Sequence, residues 1–237
     1  MDIQYFLKEY QIALALLLDL LAGDPAGFPH PVKMMGWWIS KLEIILRKKF
    51  SRHLKLAGIL LNFAVILPTY FLTLIVIVIL NDISPILGTL AGIFFIYTAI
   101  SVKSLIVAGN KVINHLKAGQ IEKTRTALQE IVSRDTSKMD KNQIIRGTIE
   151  TTAENIGDGI IAPLFFTVLG GAPLVMAYKA VNTLDSVVGY KNEKYKDFGW
   201  FSARIDDIAN IIPARITGAL IVIIAALASK QPWLALK

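Results

Sequence analysis

An all-α, polytopic membrane protein is the fold class this sequence predicts, on three observations. Apolar residues make up 54% of its 237 positions. They gather in long uncharged runs rather than at the spacing of a soluble core, and the basic residues flanking those runs are unevenly distributed. One domain, 1–237, is expected, because no internal repeat, low-complexity tract or Gly/Ser linker divides the chain.

The elements follow in order. A short apolar helix is expected near 11–22; it contains Asp19 and is too short to cross a bilayer unaided. It ends in Gly23-Asp24-Pro25-Ala26-Gly27-Phe28-Pro29-His30-Pro31, a proline-rich turn that places Asp24 and His30 on a constrained backbone at the membrane surface. Taken alone, such a turn more often simply ends a helix. No small-residue cleavage site precedes it, so the start does not read as a signal peptide. Leu56 to Leu80 is 25 residues without a charge, enough to cross a hydrocarbon layer of about 30 Å. Ile83 to Val102 is a second such run, and the short link between them makes the two a transmembrane hairpin, near 56–80 and 83–102. A last membrane helix is expected near 216–229.

Charge sets the orientation. Lys41 to Lys55 holds six Lys or Arg against Glu43 alone, and Lys103 to Gly159 holds nine against seven acids. The turn at Asp82 has no base, so the basic stretches face the cytoplasm and the chain is expected in a cell (inner) membrane with its site on the cytoplasmic side. The net charge of +7 then reflects topology and contact with the lipid bilayer, not nucleic acid. With no Cys and three His, thiol chemistry, disulfides and transition-metal centres are excluded or disfavoured. The segment 160–178 is interrupted by Pro163, Gly170, Gly171 and Pro173, and reads as broken or re-entrant. That would return Lys179–Asn210, with five bases and five acids, to the side of the first acidic stretch.

Four constellations carry candidate chemistry. Asp24 and His30 are the first. The second is Ser133 to Asp140, with Arg134 and Asp135, followed by a helix on which Glu150, Glu154 and Asp158 recur every four residues beside Asn155. Mixed charge usually marks a solvated face. Here the stripe runs directly into an apolar segment, where carboxylates tend to be functional. The third is Lys179, Asn182 and Asp185 at helical spacing, followed by Tyr190 and Lys191, groups suited to holding phosphate or carboxylate. The fourth is Asp206, Asp207 and Asn210 bracketed by Arg204 and Arg215, a pattern suited to magnesium and phosphate. No P-loop, dinucleotide, zinc-protease or serine-hydrolase signature occurs.

Three long stretches, LDLLAGDPAGFPHPVKMMG, SRDTSKMDKNQIIRGTIETTAENIGDGIIAPLFF and GGAPLVMAYKAVNTLDSVVGYKNEKYKDFGWFSARIDDIANIIPARITG, closely resemble the integral-membrane adenosylcobinamide-phosphate synthase family of cobalamin biosynthesis. The likeness runs from about Leu16 to Gly218; the transmembrane hairpin is similar in character only. Proteins of that family continue into a segment with His-Pro-Ser-Pro-Asn and Gly-Trp-Pro-Glu signatures, so a sequence ending at Lys237 is expected to represent part of the family's length.

The resemblance implies an ATP-dependent carbon–nitrogen ligase that joins adenosylcobyric acid, a corrinoid, to aminopropanol or aminopropanol phosphate, with ATP and magnesium (Mg2+) as cofactors. For that chemistry Glu150, Glu154 and Asp158 are the candidates to hold and deprotonate the amine, and Arg134, the fourth catalytic candidate, would with Lys179 and Lys191 hold the aminopropanol phosphate or the propionates; Asp24, His30, Asp135, Asn155, Asn182, Asp185 and Tyr190 stand around the substrates, and Asp206, Asp207 and Asn210, with Arg204 and Arg215, are the candidates for magnesium and phosphate contact. Two other readings stay open: a prenyltransferase-like magnesium enzyme, of whose aspartate-rich motifs NTLDS is a poor version, and a non-enzymatic sensor or transporter. Association into homo-oligomers is compatible with each.

Overall fold

The computed structural model describes residues 9–24 and 30–227. All of its regular structure is helical: α1 (Glu9–Ala22), α2 (Pro31–Lys49), α3 (Leu54–Ile83), α4 (Pro85–Ala99), α5 (Val102–Lys117), α6 (Ile121–Gln129), α7 (Lys141–Ile156), a π-helical turn (Gly157–Ile161), α8 (Ala162–Val188), α9 (Trp200–Ala209) and α10 (Ile211–Leu227). Three helical stretches are long and apolar enough to cross a membrane, or four if α9 and α10, bent by 52°, are taken together. The protein is thus a helical membrane protein. The transmembrane hairpin is α3 and α4, reversed at Ser84, whose hydroxyl accepts from the Ile86 amide at 3.3 Å, with Pro85 at the first helical position. The last helix begins at Ile211, and positions 228 and 229 of the expected span lie outside the described residues, as do Pro25 to Pro29 of the proline-rich turn.

The segment expected to be broken doubles back on itself. Gly170 and Gly171 leave helical geometry, and Gly171 adopts φ 64°, ψ −158°, a conformation essentially confined to glycine. The rings of Phe166 and Tyr178, on either side of the break, stack with centroids 4.7 Å apart. Further from it, Asn182 Nδ2 reaches Asp158 Oδ2 at 3.4 Å across 24 residues of sequence, a length that a straight helix would stretch to about 36 Å. The two halves of α8 are therefore antiparallel, and the chain enters and leaves this hairpin at the same end of the molecule.

The second half of α8 is the centre of the fold. Its Ala172, Val175, Met176, Ala180, Leu184 and Val188 pack with Ile39 of α2, Leu61 and Val65 of α3 and Ile96 of α4. Close approach explains Gly58 in α3: a β-carbon there would lie 1.8 Å from the Phe198 carbonyl oxygen. A second, separate cluster of Val112, Ala127, Leu128 and Ile144 holds α5, α6 and α7 together as a layer of their own. Polar contacts join the remaining parts. Buried Asn62 donates to Ser202 at 2.8 Å, tying α3 to α9, and Arg47 reaches the Lys194 carbonyl at 2.9 Å while stacking over Phe198, which pins the loop after α8.

Candidate functional site

At the polar end of the α8 hairpin lies a cavity of about 610 Å³, walled on one side by α7 and on the other by the second half of α8. Its lining includes Arg134, Glu150, Glu154, Asn155, Asp158, Asn182, Asp185 and Tyr190. The acidic stripe and the Asn182–Asp185 stripe, apart in sequence, thus form opposite walls of one space. A capping box starts α7: Asp140 accepts from the Gln143 amide at 2.8 Å and the Gln143 side chain accepts from the Asp140 amide at 2.9 Å. That fixes the register in which Glu150, Glu154 and Asp158 share a face.

Repulsion along this stripe is relieved at one position. Glu150 is bracketed by two cations, with Arg134 Nη2 at 2.6 Å and Arg146 Nε at 3.1 Å. Glu154, Asp158 and Asp185 have no ion pair among the described residues, so the inner part of the cavity is acidic. The nearest positive charge to Asp158 is Lys179, a partly buried side chain on the second half of α8 that also senses Asp24 and Asp206. Tyr178 lies behind Asp158, its buried hydroxyl 3.3 Å from the Asp158 carbonyl and 3.1 Å from Asn210 Oδ1.

Asp206, Asp207 and Asn210 do not converge. Neighbours on a helix point about 100° apart, and Asp206 turns inward while Asp207 is 72% exposed and faces Arg204 at 3.9 Å. Asn210 is already engaged at both ends, donating to Asp206 Oδ2 at 3.0 Å and accepting from Tyr178. Among the described residues no three acidic or histidine side chains form a ready ion cage. Asp206 Oδ1, however, is buried without a well-formed hydrogen bond, beside the Asn182 amide and with Asp158 and Asp185 as its carboxylate neighbours.

Other expected site residues lie around this cavity. Asp24 and His30 form a pair at 3.2 Å; His30 Nδ1 accepts from the Val32 amide at 3.3 Å, so its other nitrogen carries the proton facing Asp24. Asp24 also accepts from Ser104 at 2.7 Å, and the hydrogen bond from His30 holds its carboxyl below the usual carboxylate range. Asp135 accepts from the Ser137 amide at 2.9 Å and lines a neighbouring cavity with Arg134 and Arg146. Lys191 acts on Asp185 by charge alone. Arg204 and Arg215 are outside the lining, and the Arg215 guanidinium bonds the Ile211 carbonyl of its own helix. Residues not anticipated from sequence are Thr151, Ser186 and Gly189 in the wall, and Lys103 and Ser104 against the first turn. Extending the Glu150 and Asn182 stripes by one position or one helical turn finds Thr151 and Ser186; nothing local points to Ser104, eighty residues from Asp24.

Residues 12–235 match the family described as CobD/Cbib protein. The chain belongs to the CobD/CbiB family. It is 51% identical over 213 residues to the cobalamin biosynthesis protein CobD of Clostridium perfringens, covering 90% of this chain and 68% of that relative. It is 45% identical over 225 residues to the CobD of Citrobacter koseri, covering 94% and 70% of the two chains. With the CbiB of Salmonella typhimurium the figures are 42% over 226 residues, 94% and 71%. No solved structure matches this chain.

Proposed function

We propose that this protein acts in cobalamin biosynthesis as an amide-forming ligase, joining the free propionate of adenosylcobyric acid to aminopropanol or its phosphate, with the site facing the cytoplasm. One observation carries the reading within this family: four carboxylates line the cavity and, among the described residues, only Glu150 has an ion-pair partner. An acidic, partly desolvated space of that kind favours a substrate ammonium.

A carboxylate and an ammonium do not condense unaided in water. In the proposed reaction the propionate oxygen attacks the γ-phosphorus of ATP, ADP leaves, and an acyl phosphate results. The amine, having given a proton to Glu154 or Asp158, attacks the acyl carbon; the amide bond forms and inorganic phosphate departs. Arg134 holds Glu150 and lends positive charge at the cavity edge, while Asn182 and Tyr178 fix Asp158. Lys179 is placed to meet the developing negative charge near Asp158. The hard oxygen donors and the buried Asp206 Oδ1 fit magnesium, which would be held by Asp206 with Asp158 or Asp185 and would neutralise phosphate charge when bound.

The test is direct. Detergent-purified protein is incubated with adenosylcobyric acid, magnesium and either aminopropanol or its phosphate, with and without ATP, and the corrinoid is weighed by mass spectrometry. An ATP-dependent mass gain equal to amine minus water supports the reading. Absence of any amide product under all four conditions from a protein that binds corrinoid overturns it.

A further inference from the structure

Away from the acidic site, a second cavity of about 650 Å³ opens between α2, α3 and α4. Its walls are Met34, Met35, Trp37, Trp38, Leu72, Val76, Phe95 and Met176 with two threonines. Thr73, one of the two, turns its hydroxyl onto the Thr69 carbonyl at 2.8 Å, so the wall it presents is a methyl group. The interior therefore offers almost nothing for a polar ligand to bond. Polarity is confined to the rim, where Lys33 and His30 stand at the start of α2. Lys33 is exposed and has no ion pair among the described residues.

The helix that forms the rim has the signature of a membrane interface. Lys33, Trp37 and Lys41 follow one another at four-residue spacing, and Lys41 Nζ lies over the Trp37 ring at 5.8 Å. An exposed tryptophan flanked by lysines on one helix face is the pattern of a membrane interface, where the ring sits among the headgroups and a lysine reaches their phosphates. An apolar chamber below an unpaired cation suits a molecule with a long apolar tail and an anionic head.

We propose that this cavity is a binding site for an anionic phospholipid, with an acyl chain along Leu72 and Val76 and the headgroup phosphate on Lys33. Charge complementarity decides the headgroup: among the described residues no acid lines the cavity, so a zwitterionic lipid would gain nothing from its own cation there. The site also adjoins the catalytic region. His30 stands in its wall and faces Asp24, whose charge acts on Lys179, so a phosphate beside His30 alters the field at the acidic cavity.

Native mass spectrometry tests this on the whole chain reconstituted with equimolar phosphatidylglycerol and phosphatidylcholine, then released from detergent. Wild type is expected to retain one phosphatidylglycerol about fivefold over phosphatidylcholine, the discrimination one surface lysine supplies. Lys33→Glu should abolish the preference while leaving total lipid retained, and Leu72→Trp, at a position 63% exposed, should lower retention of both lipids. Arg52→Glu, outside the cavity, should change neither. Equal retention of the two lipids by wild type, or a preference unaltered in Lys33→Glu, overturns the proposal, and neither result bears on the amide-forming reaction.

Discussion

The Tyr178 hydroxyl lies 3.3 Å from the Asp158 main-chain carbonyl although twenty residues of apolar chain separate them. One strand of helix enters the bilayer region, turns at Gly170–Gly171, and returns its tyrosine to the acidic residue at the point of entry. The bond marks the mouth of the hairpin, beside an acid that lines the cavity.

The turn itself is the first place to test. Gly171 sits at φ 64°, ψ −158°, where a β-carbon is strained by about 1–3 kcal/mol. Gly171→Ala is expected to lower the melting temperature by several degrees and to reduce activity, since both cavity walls depend on the reversal. Gly36→Ala, in a helix with open space around the added methyl, should instead stabilise by about 0.5–1 kcal/mol. Thermal melts of both variants in the same detergent make the comparison; equal effects would remove the reversal from the account.

Glu150 and Glu154 should separate stability from chemistry. Glu150→Gln breaks two ion pairs at an exposed position, where such pairs contribute little, and should cost at most a degree or two of melting temperature. Glu154→Gln removes a charge that repels Asp158 and Asp185, so the folded protein should be as stable as wild type or more so, while turnover falls by about a hundredfold or more. A Glu154→Gln protein that melts early yet turns over normally per folded molecule would show a structural role instead.

The acid limb of stability should report Asp24. Its carboxyl is held below the usual range, first by the hydrogen bond from His30, so the unfolded state binds the proton more readily. The contribution is fully present above the unfolded value of about 4 and is lost as pH falls through the lower folded value. Melting temperature of wild type should therefore drop more steeply than that of Asp24→Asn as pH goes from about 5 to 2. Parallel curves would mean that the pair adds nothing.

Asp206 and Asp207 should differ in magnesium dependence. Asp206→Asn is expected to raise the magnesium concentration needed for half-maximal activity about tenfold, whereas Asp207→Asn, exposed and facing Arg204, should leave it unchanged. Identical magnesium titrations for wild type and Asp206→Asn would leave the buried oxygen without a cation to hold.

Much of this architecture is legible in residue pattern. The uncharged run through α3 is long enough to read by length alone, and Gly170, Gly171 and Pro173 are local signals of a break. Four-residue spacing put Glu150, Glu154 and Asp158 on one face because helix geometry is local. Partner choice was not local. That Arg134 neutralises Glu150, that Ser104 bonds Asp24, and that Asn210 is consumed by Tyr178 are consequences of packing between elements distant in sequence. Asp206 and Asp207 are adjacent in sequence but not in space, because a helical step turns one inward and the other out.

The two walls of the acidic cavity are anchored unequally. Asn182 and Asp185 stand on a helix clamped by the main apolar core, whereas Glu150 and Glu154 belong to the layer that has only Val112, Ala127, Leu128 and Ile144 at its heart. So small a nucleus opens before the larger one does. On warming, the spacing between the walls is expected to be lost while the membrane-embedded helices stay assembled, so that activity should fall in a thermal series before the global melt. The jaw that carries the acidic stripe would then be the part of the molecule whose local stability sets its working temperature.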